Sequence, residues 1–284
     1  MQIPIYRAVS NCRGGFHIRP QNLPNCGFAD RAHIECAPTR YDDRFTELDK
    51  LEFKGCFWAA DLVVEIDVSS DFLLSRLGPY LCGEAEKTDI SIDVSKQFYI
   101  DRQAENPHMT LGECECLWSG GYFYEQLTRF GGVMLHASCV EYEGKAYLFS
   151  ARSGTGKSTH THLWLKYLPG SRIINDDKPA IRCIDGVYYA YGTPWSGKTD
   201  ESVNIGIPIA GIAFLSRGEN SIKRIPGIKA LKLFMDQTVR PNEKALMGNM
   251  LDILNGILTD IPIYEMSCDM SEEAVKTSYE GMKG

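Results

Sequence analysis

The segment that most constrains the fold is residues 151–158, Ala-Arg-Ser-Gly-Thr-Gly-Lys-Ser, which follows the apolar run 146–149. It departs at one position, Ala151, from the phosphate-loop pattern Gly-x-x-x-x-Gly-Lys-Ser/Thr. In that pattern a strand enters the loop and a helix leaves it, so that loop amides and the helix N-terminus face phosphate oxygens. Alanine is compatible with the first position if its φ stays negative. The segment therefore predicts a strand–loop–helix unit that binds a nucleoside triphosphate.

The side chains of this loop have distinct expected roles. Lys157 can reach the β and γ phosphates, and the Ser158 hydroxyl can bind Mg²⁺. A chance Gly-Lys-Ser turn is the alternative, but it requires the strand, the loop and the helix to coincide. The residues expected to contact the nucleotide are Ser153, Gly154, Thr155, Gly156, Lys157, Ser158 and Thr159.

Two carboxylates follow the next apolar run along the chain. Asp176 and Asp177 come directly after residues 172–175. Carboxylates at a strand end beside a phosphate loop can hold Mg²⁺ or accept a proton from an attacking hydroxyl. The alternative is that they cap a turn before Pro179. Neighbouring residues of a strand face opposite sides, so one aspartate can react while the other supports it.

Three further polar residues are candidates for the site. His136 precedes the hairpin that leads into the loop, although a lone histidine there is more often a hydrogen-bonded core residue. Lys198 ends a second glycine-rich turn, residues 192–198, and can contact a substrate or phosphate; a plain solvent loop explains that turn equally well. Arg240 lies between two predicted helices and is a candidate for stabilising charge during transfer.

Neither a separate metal site nor a disulfide framework is indicated. His160 and His162 are two positions apart on the predicted helix, so they face different sides and cannot share a metal. The ten cysteines are scattered without a Cys-x-x-Cys pair, which favours free thiols in a reducing compartment.

Composition limits the classes of partner. The net charge of −7 argues against a dedicated nucleic-acid binder. No uninterrupted apolar stretch approaches the length of a membrane span, and the first residues lack a signal-peptide pattern. We therefore expect a cytoplasmic protein with neither nucleic acid nor membrane as a partner.

The chain divides into two regions of different character. Residues 1–125 carry short apolar runs between turn-forming clusters and predict a strand-rich α+β module, a candidate for substrate recognition. Residues 126–284 predict an α/β catalytic domain whose hairpins, at 143–144 and 185–186, favour a mixed sheet. The predicted strands are 62–66, 90–94, 133–140, 145–149, 172–175, 180–184, 187–191, 209–215 and 261–266. The predicted helices are 117–130, 157–168, 228–239, one after Pro241 and one from Ser271.

The series formed by residues 135–138, 153–158 and 175–177 resembles the catalytic domain of bacterial HPr kinase/phosphorylase. It is also similar to the nucleotide site of ATP-dependent phosphoenolpyruvate carboxykinases. The resemblance covers about 132–215. It implies a mixed-sheet phosphate-loop fold, ATP and Mg²⁺ as cofactors, phosphoryl transfer to a serine-type hydroxyl of a small molecule, peptide or protein, and a homo-oligomer.

The resemblance also assigns roles to single residues. Lys157 would bind phosphate, and Ser158 with Asp177 would bind Mg²⁺. Asp176 would be the general base, and His136 would lie near the transferred phosphate.

The sequence departs from this family at two places. Thr159 stands where the family has an acidic residue, and a Leu-Glu-Ile-Arg-Gly run is absent. These departures favour an acceptor other than HPr. A nucleotide-binding regulatory or assembly protein without transfer activity is the alternative function. A transporter-type ATPase fits less well, because the chain lacks a Leu-Ser-Gly-Gly-Gln signature.

Overall fold

Two sheets organise residues 53–82 and 87–283, the part of the chain that the computed structural model describes. The predicted N-terminal module before residue 53 lies outside the described residues. The strands are β1 (Phe53–Ala59), β2 (Leu62–Val68), β3 (Ile90–Ile92), β4 (Gly132–Met134), β5 (Ala137–Tyr142), β6 (Lys145–Ser150), β7 (Arg172–Asn175), β8 (Ala180–Ile184), β9 (Val187–Tyr191), β10 (Gly206–Arg217), β11 (Ser221–Arg224) and β12 (Ile263–Cys268). The α-helices are α1 (Asp71–Leu77), α2 (Lys96–Glu105), α3 (Leu111–Leu127), α4 (Lys157–Tyr167), α5 (Gly227–Met235), α6 (Lys244–Asp260) and α7 (Glu272–Met282).

The larger sheet is mixed, as the hairpins predicted. Its strand order is β4-β8-β9-β10-β6-β5-β7, with β12 beside β10 and β11 beside β12. The long strand β10 pairs antiparallel with β9 through residues 206–208 and parallel with β6 and β12 through later residues. The α/β class with a mixed sheet is therefore confirmed.

Alternating side chains of β6 supply the cores on the two faces of this sheet. Ala146 and Leu148 pack with α5 and α6 on one face. Tyr147 and Phe149 pack with Trp164 of α4 and with α7 on the other face. Because successive residues of a strand point to opposite faces, the apolar run before the loop is buried on both sides. This packing fixes the direction in which β6 delivers the 151–158 loop.

The smaller sheet, β1-β2-β3, packs with α1 and α3 to form a third core. Phe123 of α3 stacks on Trp195, with ring centroids 4.5 Å apart, so residues on both sides of position 125 share this core. The division at residue 125 stays a prediction. Among the described residues, no helix has the length and apolar character to cross a membrane.

Both predicted hairpin turns are confirmed. The turn residues Glu143 and Gly144 have φ values of 52° and 74°, and Asp185 and Gly186 have 51° and 80°. Positive φ at both central residues is the turn geometry that matches the twist of paired strands.

The helix predicted for 228–239 ends earlier, at Met235, and two further elements differ from the structure beside the loop or at the cleft wall. The predicted strand 133–140 is interrupted at residues 135–136, where the backbone N–H groups donate to Pro179 O and Gln237 O instead of a neighbouring strand. The helix predicted for 117–130 begins earlier, at Leu111, because Thr110 and Glu113 form a capping box. The interruption places His136 outside the sheet hydrogen bonding and beside the loop.

Candidate functional site

A cleft of about 950 Å³ lies between the 151–158 loop and the helices α1 and α3. It is lined by all three residues predicted to be catalytic, by Asp177 and Lys198, and by six of the seven predicted nucleotide contacts. The seventh, Thr155, is absent from the lining. Arg240 is exposed and does not line the cleft among the described residues. The structure therefore brings together most of the residues that the sequence singled out.

The loop leaves an uncapped helix N-terminus facing the cleft. Gly154 and Gly156 have φ values of 77° and 123°, which a residue with a Cβ rarely adopts. Gly156 is the N-cap of α4, and no side chain of the described residues accepts a hydrogen bond from the first turn of that helix. Unpaired amides at the positive end of a helix dipole are suited to bind an anion.

Arg217, the last residue of β10, binds two backbone carbonyl groups of the loop. Its Nη2 donates to Gly154 O at 2.6 Å and its Nε donates to Thr155 O at 3.1 Å. In a trans peptide unit the N–H points away from the carbonyl, so the N–H of Gly156 faces away from Arg217. Sequence analysis missed this residue, because only the parallel pairing of β10 with β6 brings it to the loop.

Lys157 and His136 are in direct contact. Lys157 Nζ lies 3.0 Å from His136 Nε2 and donates to Ala151 O at 3.1 Å. Burial lowers the pKa of Lys157, while the charges of Asp177 and Asp176 oppose this effect. His136 Nδ1 lies 3.0 Å from Gln237 Oε1, so both ring nitrogens of this histidine have polar partners.

Asp177 is the second partner of His136. Its Oδ1 lies 3.2 Å from His136 Nε2, and its Oδ2 accepts from Lys178 Nζ. Burial raises the pKa of Asp177, but the hydrogen bond from His136 and the charge of Lys178 outweigh it and hold this pKa at about 2. The carboxylate is therefore ionised at neutral pH, which suits a metal ligand better than a base.

Asp176 is more buried than its neighbour and is held by hydroxyl groups. Ser138 Oγ donates to its Oδ1 at 2.6 Å, and Thr199 Oγ1 donates to its Oδ2 at 3.0 Å. Thr161 Oγ1 of α4 lies 2.7 Å from Ser138 Oγ, so the helix after the loop is linked to this carboxylate. The two aspartates thus have different surroundings, which the turn after β7 sets, because the strand ends at Asn175 before either of them.

Asn175 builds the turn that presents both aspartates. Its Oδ1 accepts the backbone N–H groups of Asp177 at 3.0 Å and Lys178 at 2.6 Å, and its Nδ2 donates to Thr193 O at 3.1 Å. This is the turn-capping arrangement considered from the sequence. The capped turn places both carboxylates in the lining of the cleft.

The 192–198 turn packs against the same carboxylates. Gly197 has a φ of 80°, and a Cβ there would lie 2.6 Å from the Cβ of Asp177. Lys198, the next residue, is exposed and lines the cleft. The turn is therefore part of the cleft wall and not a plain solvent loop.

Neither of the two histidines of α4, His160 and His162, lines the cleft. His160 is buried and lies 3.1 Å from Ser278 Oγ through its Nε2, while His162 pairs at the surface with Glu201. Both fit the structural and surface roles that the sequence predicted.

The residues fit a magnesium ion bound together with phosphates. Among the described residues, no group of three or more His, Cys, Asp or Glu side chains could hold a metal by itself. Ser158 and Asp177 line the same cleft and offer hard oxygen donors. Mg²⁺ in nucleotide sites typically takes one or two carboxylates and completes its shell with phosphate oxygens and water.

Comparisons with known proteins give little direct information on function. No protein-family model matches the sequence, and no curated protein matches it. Among solved structures, the chain matches that of the Hpr(Ser) kinase/phosphatase from Coxiella burnetii at 12% sequence identity and a TM-score of 0.32. The match covers 53% of this chain and 99% of that chain. At this level of likeness, function has to be argued from the residues of this chain.

Proposed function

We propose that this protein is an ATP- and Mg²⁺-dependent kinase that transfers the γ-phosphoryl group to a serine-type hydroxyl. The contact of Lys157, His136 and Asp177 at the loop carries the proposal, with distances of 3.0 and 3.2 Å from His136 Nε2. A phosphate-binding loop alone fits many functions. A lysine, a histidine and two aspartates converging on it fit phosphoryl transfer.

The donor side of the cleft would hold the triphosphate. Amides of the 151–158 loop and of the first turn of α4 would donate to phosphate oxygens, and Lys157 would bind the β and γ phosphates. Arg217 would keep the loop in its phosphate-binding shape through the carbonyls of Gly154 and Thr155. Ser158 and Asp177 would be the protein ligands of Mg²⁺, which neutralises charge on the phosphates when bound.

The transfer itself would need one proton acceptor. Asp176 would take the proton of the acceptor hydroxyl as the new O–P bond forms. The bond between the γ-phosphorus and the bridging oxygen breaks, and its electron pair stays on the β-phosphate of ADP. Ser138 and Thr199, which hold the two carboxylate oxygens, would orient Asp176 for this step.

The proposal is tested by following phosphate from ATP with ³¹P NMR. The protein is incubated with ATP and Mg²⁺, first alone and then with serine, small hydroxyl compounds or serine-containing peptide pools. We expect an acceptor-dependent product whose rate falls at least about 100-fold in Lys157→Ala and Asp176→Asn, because each removes charge from the reaction centre.

The matched control is Lys166→Ala, which removes an exposed lysine from the same helix. It should retain the wild-type rate. Nucleotide binding without transfer to any acceptor would contradict the kinase and favour a regulatory nucleotide-binding protein.

A further inference from the structure

The part of the cleft lining that α1 and α3 supply includes large apolar side chains and one buried cation. Phe72 of α1 and Leu117 of α3 are 38% and 46% exposed, although both are large and apolar. Arg76, one turn after Phe72, lines the same cleft, and its side chain is only 7% exposed. Lysine and arginine rarely become this buried unless they have a strong partner.

The partner of Arg76 within the described residues is weak. Its Nη1 lies 3.5 Å from Asp200 Oδ1, and its guanidinium lies over the Phe72 ring at 4.6 Å. Asp200 is half exposed and also accepts from Ser196 Oγ at 3.0 Å. A guanidinium can bind a carboxylate by two parallel hydrogen bonds. Among residues 53–82 and 87–283 no second carboxylate lies within ion-pair distance of Arg76, so these residues leave that binding capacity unused.

Arg76 lies close to groups that surround the proposed reaction centre. Burial raises the pKa of the Cys116 thiol to about 11, and the positive charges of Arg76 and Lys178 oppose this rise. Both cations therefore act on the same part of the cleft. The ion-pair partner of Arg76, Asp200, directly follows Thr199, whose Oγ1 donates to Asp176 Oδ2 at 3.0 Å, so the 199–200 segment connects Arg76 to this carboxylate.

The charge of the cleft also favours an anionic acceptor. Five basic side chains and three carboxylates line it, although the whole chain has a net charge of −7. Lys157 and Arg217 belong to the loop side. Arg76 and Lys198 lie on the lining without a phosphate-loop role, and they leave positive charge for the second substrate.

We propose that the wall formed by α1 and α3 binds the acceptor and that Arg76 binds a carboxylate of it. The acceptor is then a hydroxyl compound with a carboxylate and an apolar group, the latter covering Phe72 and Leu117. This inference rests on the kinase function proposed above, because it names the class of its second substrate.

Binding of two matched probes tests the inference without requiring turnover. N-benzoyl-L-serine carries a hydroxyl, a carboxylate and an apolar ring, and N-benzoyl-L-serinamide differs from it in having a neutral amide. Each is titrated by NMR into the protein with ADP and Mg²⁺. We expect the acid to bind at least about tenfold more tightly, the factor given by a charge-assisted hydrogen-bonded pair.

Variants assign this preference to Arg76. Arg76→Gln should abolish the preference and leave the Kd of ADP within about twofold, while Arg129→Gln, at an exposed ion pair with Glu243, should retain it. Asp200→Asn removes the competing carboxylate and should increase affinity for the acid alone. This second variant keeps the test decisive if Arg76→Gln fails to fold.

Several outcomes would overturn the inference. These are equal affinities for the two probes, no binding of either, a preference that persists in Arg76→Gln, or no gain in Asp200→Asn. Phosphoryl transfer from ATP to the probes is measured separately. A carboxylate preference without transfer to the probes or to any of the other acceptors would contradict the kinase but not the carboxylate site, and equal transfer to both probes would contradict the carboxylate site alone.

Discussion

At the scale of single residues, the site is held by donors that bind main-chain and carboxylate oxygens. Arg217 binds two loop carbonyls, and Ser138 and Thr199 bind the two oxygens of Asp176. Each donor comes from a different element, so the loop and the carboxylate are positioned by the fold and not by their own sequence. Preorganised groups of this kind lose little free energy when charge develops in a reaction.

Arg217 gives the clearest residue-scale prediction. Arg217→Gln removes the charged fork from Gly154 O and Thr155 O, so we expect the Kd of ADP with Mg²⁺ to rise by roughly tenfold. Isothermal titration calorimetry measures this change. Arg172→Gln, which breaks the surface ion pair with Glu141, is the control and should leave the Kd unchanged. An unchanged Kd in Arg217→Gln would show that the loop keeps its shape without this residue.

At the scale of elements, features set by local sequence were predictable, and features set by distant contacts were not. The turns at 143–144 and 185–186 were predictable because the conformation of a two-residue hairpin depends on the residues in it. The interruption at 135–136 was not, because its hydrogen-bond partners are Pro179 and Gln237, far away in sequence. The start of α3 at Leu111 could have been found from the Thr110 and Glu113 spacing.

The candidate site follows the same rule: residues next to a local motif were predicted, and residues brought in by tertiary packing were not. The loop, His136 and the aspartates were found because each lies next to a recognisable strand end or motif. Arg76 and Arg217 were missed, since only tertiary packing brings α1 and the end of β10 to the cleft. Arg240 was predicted to belong to the site but does not line the cleft. Its position between two helices gave no information on which side of the fold it would occupy.

Helix α4 has a buried histidine that couples stability to pH. His160 Nε2 faces the Trp164 indole N–H at 3.3 Å and Ser278 Oγ at 3.1 Å, so it acts as an acceptor. Burial lowers the pKa of His160 to about 4. A lowered pKa in the folded state means that the unfolded chain binds the proton more strongly. Stability is therefore lost as pH falls from about 6.5, the unfolded value, to about 4.

The variant His160→Leu tests this element-scale prediction. Trp164 Nε1 keeps a partner in Ser278 Oγ at 3.1 Å, so the indole is not left unpaired. Between pH 7 and pH 4 the free energy of unfolding of the wild type should fall by about 2–3 kcal/mol more than that of the variant. Urea unfolding at several pH values measures the difference. Parallel pH profiles for the two proteins would contradict the assignment to His160.

At the scale of the whole molecule, the small and large sheets share a core. Phe123 and Tyr124 of α3 pack on Trp195, which belongs to the turn beside the aspartates. Arg182 of β8 donates to Phe130 O at 3.2 Å and also to Ala60 O in the turn between β1 and β2. Contacts of this kind make the stability of the cleft depend on both sheets.

Phe123→Ala is expected to lower the free energy of unfolding by about 3–5 kcal/mol, since it removes a fully buried ring. Because the core is shared, Phe123→Ala should unfold in a single thermal transition at a lower Tm than the wild type. Tyr122 of the same helix is 40% exposed, so Tyr122→Ala should lower the free energy of unfolding by less than about 1 kcal/mol. Two separate transitions, only one of which shifts in Phe123→Ala, would instead support independent folding of the two predicted regions.

The burial of Lys157 is expected to make nucleotide affinity depend on pH. Burial lowers its pKa, and a bound phosphate would favour the charged ammonium and raise that pKa again. Binding would then take up protons at alkaline pH, and ADP affinity would fall as the pH rises. Calorimetric titrations in buffers with different ionisation enthalpies count these protons directly. The uptake should disappear in Lys157→Met, even where residual ADP binding remains measurable.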